Sequence, residues 1–146
     1  MTVIWPDVKQ RLVAELRALL EPDVTVFDGP VVTGDDPLAY LCVGDQPSSD
    51  DDGAGEFEQD RGPDGFTVTE SGVVLCEIGA VNGDTTMPSA WAVFDAVATY
   101  VQQNQTLNGL LEVNATLRAA ATVLQAQTYE GAAQRLLVSI TYSTLL

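Results

Sequence analysis

The sequence predicts an α+β domain: a mostly antiparallel sheet with two helices packed on one face and a long acidic loop inserted between strands. Three observations carry this. Two segments, one near the start of the chain and one after residue 85, place apolar residues at helical spacing. Five others run or alternate as strands do. The last two of these are separated by Tyr129-Glu130-Gly131, a turn that makes them an antiparallel hairpin. Helices gathered on one side of such a sheet define the class. The 146 residues suit one domain spanning 1–146, with enough chain to bury about 70% of the unfolded surface.

The first helix is read over Pro6–Glu21. Pro6 fits a first turn, and Asp7 complements the positive end of the helix dipole. Val8, Leu12, Leu16, Leu19 and Leu20 form one apolar stripe. Trp5 reads as a staple onto this helix, with a partner contact as the alternative. Glu21-Pro22 ends the helix. Strands follow at Val24–Phe27 and Leu38–Val43. The next strand, Gly72–Val81, carries Val74, Cys76, Ile78 and Ala80 on one face and Val73, Leu75 and Val81 on the other, with Phe66–Thr69 as an extension. Asn82-Gly83-Asp84 is a turn, and Thr85 or Thr86 is the expected cap of the second helix, with Pro88 near its start. Trp91, Phe94, Val97, Ala98 and Val101 give that helix a core face, and it ends by Asn108-Gly109. Asn114–Thr128 is alanine-rich and alternates weakly. Ala132–Thr144 puts Leu136, Val138, Ile140 and Tyr142 on one side.

Between the second and third strands lies DQPSSDDDGAGEFEQDRGPDG, Asp45–Gly65, with eight carboxylates and one cation, Arg61. It reads as an acidic inserted loop, not a domain linker. The whole chain has 21 acids against six bases, a net charge of −15. That disfavours non-specific nucleic-acid binding and anionic membranes, both of which need Lys and Arg. No apolar run reaches the length of a membrane span, and no signal-peptide pattern opens the chain. Cys42 and Cys76 sit in apolar runs and read as buried free thiols. The sequons at Asn104 and Asn114 carry no weight without a signal peptide.

With no histidine, imidazole-activated nucleophiles and imidazole metal ligands are out. There is no phosphate-binding glycine loop. A calcium-loop register starting at Asp50 fails at Ala54 and at Arg61, where a bidentate Glu belongs. No metal, cofactor or catalytic residue is therefore expected. The carboxylates Asp50, Asp51, Asp52, Glu56, Glu58 and Asp60 concentrate the charge of the acidic segment. Arg118 and Arg135 sit on the two C-terminal strands, either as ordinary outward residues or as contacts to carboxylates of another copy.

The segments GVVLCEIGAVNGDTTMPSAWAVFDAVATYV and TLNGLLEVNATLRAAATVLQAQTYEGAAQRLLVSITYSTLL resemble the tail terminator (tail completion) proteins of long-tailed bacteriophages. The shared features are a strand ending at Gly83-Asp84, an aromatic-bearing helix, a Thr106-Leu107-Asn108-Gly109 knuckle and a return strand, Arg135–Tyr142. The chain departs from the pattern at Ser143-Thr144-Leu145-Leu146, where another cation is expected. The resemblance implies a non-enzymatic virion protein, assembled in the host cytoplasm. It would form a six-membered ring on the head-proximal end of the tail tube, stop tube polymerisation and meet the head completion protein. DNA would pass through the hole without specific binding, and no membrane is involved. The resemblance gives Asp45–Gly65 a role as a loop that orders on assembly, at the tube contact or around the channel, with Asp50, Asp51, Asp52, Glu56, Glu58 and Asp60 as the candidate assembly or channel residues; the alternative is a solvated surface loop with no such task. A head–tail connector is the nearest alternative. An acidic DNA-mimic inhibitor is another, although nine of the 21 acids cluster in Asp45–Glu70 and five follow it, unlike a mimic's evenly spread face.

Overall fold

The computed structural model describes residues 2–30, 39–47, 49, 53–81, 89–125 and 133–146. Its elements in chain order are α1 (Trp5–Leu20), β1 (Thr25–Asp28), β2 (Ala39–Val43), β3 (Gly55–Arg61), β4 (Val68–Val81), α2 (Ala90–Gln103), β5 (Thr116–Gln125) and β6 (Ala133–Leu145). One sheet runs β1-β2-β4-β6-β5, and β3 also pairs with β4. Every pairing is antiparallel except β1 with β2. The α+β class and the two helices on one face hold. Val8, Leu12, Leu16 and Leu20 of α1, with Val93, Val97 and Val101 of α2, join one core with Leu41, Val74, Cys76, Ile78, Leu136, Val138 and Ile140 of the sheet. Among the described residues no helix packs on the opposite face, which we call the outer face.

The acidic segment does not form the single loop expected of it. Residues 55–61 are a strand, and β4 reaches back to Val68 to pair with it. β2 pairs with Ala80–Cys76 of β4 and β3 with Val74–Val68, so the two lie end to end along one edge of β4. The chain leaves that line at Gly44, whose N–H bonds the Leu75 carbonyl at 2.7 Å. It rejoins at Ala54, whose carbonyl accepts the Leu75 N–H at 3.0 Å. The inserted part is thus the stretch between these two contacts with Leu75. Alternation explains the miss: Glu56, Glu58 and Asp60 share one face of β3, while Gly55, Phe57 and Gln59 share the other. Charge count masked a period of two.

The helices also differ from expectation in detail. In α1 Val13 is buried, whereas Leu19 is 49% exposed. Trp5 is no staple: its indole N–H donates to the Val73 carbonyl (2.9 Å), and its ring lies over Gly55, where a Cβ would come within 2.8 Å. The N-cap of α1 is Ile4, which offers no side-chain cap. The Glu70 carboxylate of β4 takes that part, accepting the Ile4 N–H at 3.2 Å. In α2 the cap is Ser89, whose hydroxyl accepts the Ala92 N–H. Thr85, Thr86 and the Gly83-Asp84 turn lie outside the described residues, as does the turn at 129–131. Trp91, expected in the core, is 51% exposed. Cys42 and Cys76 are buried and form no disulfide, and burial pushes the Cys76 thiol up to about 12.

Candidate functional site

β4 is the axis of the molecule and repeats one small device on its two faces. Glu70-Ser71-Gly72 points Glu70 and Gly72 inward; Glu77-Ile78-Gly79, seven residues on, points Glu77 and Gly79 outward. Each glycine lies under a tyrosine from its cross-strand partner position, Tyr142 over Gly72 and Tyr40 over Gly79. Each tyrosine hydroxyl then donates to the neighbouring buried carboxylate: Tyr142 to Glu70 at 2.7 Å and Tyr40 to Glu77 at 2.8 Å. Glu70 also accepts from Gln59 Nε2 at 2.8 Å, so this buried carboxylate is saturated. Burial and the adjacent carboxylate hold both phenols above the usual phenol range. These carboxylates are structural: each is occupied by groups of its own subunit.

The outer face is where the predicted residues gather. Across its lower half, rows of paired residues read Glu56–Val73–Thr141–Arg118 and Glu58–Ser71–Ser143–Thr116, from β3 through β4 and β6 to β5. Glu56, Glu58 and Asp60 therefore stand in line on one edge, all exposed. Hydroxyls fill the middle, with Ser71 bonded to Ser143 at 3.1 Å. Exposed Arg118 stands on the opposite edge, in the row of Glu56. An open depression of about 480 Å³ crosses these strands, lined by Glu56, Glu58, Thr116 and Thr141 among others. Arg135 is on the same face but six residues further along β6, opposite Gly79. It is half-buried beside Tyr40, whose phenol feels its charge. Asp50, Asp51 and Asp52 lie outside the described residues. Before them, Gln46 is buried, donating to the carbonyls of Cys76 (3.0 Å) and Val138 (3.2 Å). The side chains of that pair fill the core side, so the Gln46 amide approaches from the outer face.

The two edges differ in what their backbones offer. On β5, Gln105 donates to the Leu117 carbonyl (2.8 Å) and accepts the Leu117 N–H (2.9 Å). Leu117 therefore turns its backbone away from β6. By the two-residue period, Ala119, Ala121 and Val123 do the same, while Arg118 and Ala120 bond to β6. On β3, Leu75 marks the bonded set of β4, so Glu56, Glu58 and Asp60 bond inward and Gly55, Phe57, Gln59 and Arg61 point their backbones outward. No described residue bonds the outward backbone groups of Ala119, Ala121, Val123, Phe57 or Gln59.

Two features go beyond the sequence reading: the backbone of the expected Thr106–Gly109 knuckle and the tip of the β3–β4 hairpin. Thr106–Gly109 holds three consecutive residues in left-handed backbone, Leu107 (φ 47°), Asn108 (φ 56°) and Gly109 (φ 89°). For the two non-glycine residues this costs about 1–2 kcal/mol each. The cost is offset by full burial of Leu107 and by Arg11 of α1, which donates to the carbonyls of Leu107 (2.9 Å) and Asn108 (3.2 Å). Nothing in the spacing of Arg11 within its helix marks that long-range role. The second feature is the β3–β4 hairpin tip. Asp64 accepts from the Thr67 hydroxyl and from the N–H groups of Thr67 and Phe66, which lowers its pKa. This shaped turn presents Phe66 at 92% exposure.

Among the described residues no group of three or more His, Cys, Asp or Glu side chains could hold a metal ion, and no helix is long and apolar enough to cross a membrane. No protein-family model matches the chain, and no curated protein matches it significantly.

Proposed function

We propose that the protein is a ring-forming structural subunit: a tail terminator that caps the head-proximal end of a phage tail tube, ends tube growth and offers a surface to the head. One observation carries the reading. A single sheet has an acidic edge at β3 and an edge bearing Arg118 at β5, both exposed on the same face. A closed ring of identical copies needs two different, complementary patches per copy, and opposite charge supplies complementarity and register. Helices on one face only suit an annulus with helices outside and the hydroxyl- and carboxylate-bearing face towards the hole. Carboxylates there repel DNA phosphates, so DNA slides and does not stick. The subunit then has no bond-making chemistry, and the six-fold copy number follows the family resemblance.

The acid row also invites a DNA-mimic reading. Three carboxylates at strand spacing span only about 14 Å, so the row is short for a duplex footprint. Native mass spectrometry with negative-stain electron microscopy of the purified protein separates the readings. Annular particles with a central hole, at six times the 15.5 kDa chain mass, are expected. A monomer or dimer that persists at high concentration and with added tube protein removes the terminator reading.

A further inference from the structure

We infer that neighbouring copies join by sheet extension, β5 of one copy pairing antiparallel with β3 of the next, in the register that sets Arg118 opposite Asp60. The inference deepens the ring reading and rests on it.

Direction comes first. β5 is antiparallel to β6, β6 to β4 and β4 to β3, so β5 and β3 of one subunit run oppositely. Copies related by rotation about an axis along the strands keep those directions, which makes the new pair antiparallel. The faces also agree. The outward-bonding residues of β5 (Ala119, Ala121, Val123) and of β3 (Gly55, Phe57, Gln59) all carry their side chains on the helix side. Pairing them continues the sheet with its outer face still outer.

The register follows from two restrictions. Gln105 occupies the backbone of Leu117, so pairing on β5 begins at Ala119. Matching all three open residues within the bounds of β3 leaves Ala119 opposite Gln59, Ala121 opposite Phe57 and Val123 opposite Gly55, or the same set moved two residues towards Arg61. The first puts Arg118 opposite Asp60 with Glu58 on the diagonal; the second puts it opposite Gly62 and loses the charge match. The first also fits by size. Phe57 is 46% exposed and gains the small Ala121 as neighbour, while Val123, 52% exposed, covers Gly55 and the Trp5 ring above it. An alanine-rich strand that lacks proline and carries one charge is a ready template for such pairing.

The test uses the full chain with Ala120→Cys and Glu58→Cys together. In this register the two stand opposite as a non-hydrogen-bonded pair, about 4.5 Å between Cα atoms across the contact. Within one subunit three strand spacings, about 14 Å, keep them apart. Oxidation is expected to give a ladder of covalent oligomers on non-reducing gels, ending at the ring, with the native buried thiols silent. Arg118→Glu or Asp60→Arg alone should raise the concentration at which rings dissociate by about tenfold or more, and the two reversals combined should recover most of it. Rings by native mass spectrometry without the ladder overturn this contact and leave the ring reading standing. Monomers only, from the unaltered chain at high concentration, overturn both.

Discussion

β3 and β5 are both edges of one sheet, yet they are finished in opposite ways. β3 is short and carries Glu56, Glu58, Asp60 and Arg61, the charged finish that keeps an edge from pairing with any passing strand. β5 is ten residues long with one charge, Arg118, and its middle is Ala119-Ala120-Ala121. A protein that had to stay single would guard the longer edge. Among the described residues nothing pairs with the longer edge except at Leu117, where Gln105 stands in for a strand. In the proposed sheet extension, the guarded edge would select its partner by charge and the open edge would accept it by backbone.

The largest break in that comparison comes from proline. Ala121→Pro removes an N–H that points away from β6, so the subunit should fold with little change in Tm while rings fall to monomers on native mass spectrometry. Ala120→Pro removes an N–H inside the ladder and should cost the fold on the order of 2–3 kcal/mol, read by urea denaturation. If both variants behave alike, the assignment of backbone direction along β5 is wrong. Next in size, Tyr142→Phe and Gly79→Ala probe the strand that holds the two edges apart. The first leaves the buried Glu70 one donor short, costing about 1.5–3 kcal/mol. The second drives a methyl into the Tyr40 ring, costing about 1–3 kcal/mol.

The same tyrosines give a pH signature. Folding raises the Tyr142 and Tyr40 phenol pKa values above 10, so the folded state favours the protonated form. Their contribution is full below the ordinary phenol value and is lost as pH rises past it. Stability measured by denaturant should therefore fall with rising pH above about 10, and Tyr142→Phe should flatten that fall. Smaller again, Gln105→Ala lengthens the open edge by one residue; it should cost about 1–2 kcal/mol and increase self-association seen by light scattering. The smallest effect is expected from changing Asp50, Asp51 and Asp52 together to Asn: the subunit stays folded, and the change is read in tail length and infectivity.

Much of this was legible in the residues, and the failures share a cause. The stripe Val8-Leu12-Leu16 and the alternation Leu136-Val138-Ile140-Tyr142 gave α1 and β6, because each element buries one face against the same core. Sequence could not reveal β3, whose apolar content is Phe57 alone; its stability comes from pairing with β4, a long-range property. Trp91 and Leu19 sit at helical spacing yet face solvent, since periodicity locates a stripe and does not fix its width. Glu70 and Glu77 look like any strand carboxylates until Tyr142 and Tyr40 arrive from neighbouring strands. Of the candidate residues, Glu56, Glu58, Asp60 and Arg118 share one half of one face, whereas Arg135 belongs to the Tyr40 neighbourhood. No local pattern announces that division, because it depends on which strands lie side by side.

Residue-resolved amide hydrogen exchange, in dilute subunit and in assembled ring, reaches the sheet-extension claim most directly. The N–H groups of Ala119, Ala121, Val123, Phe57 and Gln59 should exchange fast in the dilute protein and become protected together on assembly, while Leu117, held by Gln105, is protected in both. Rings in which those five amides still exchange as fast as in the free subunit would contradict it.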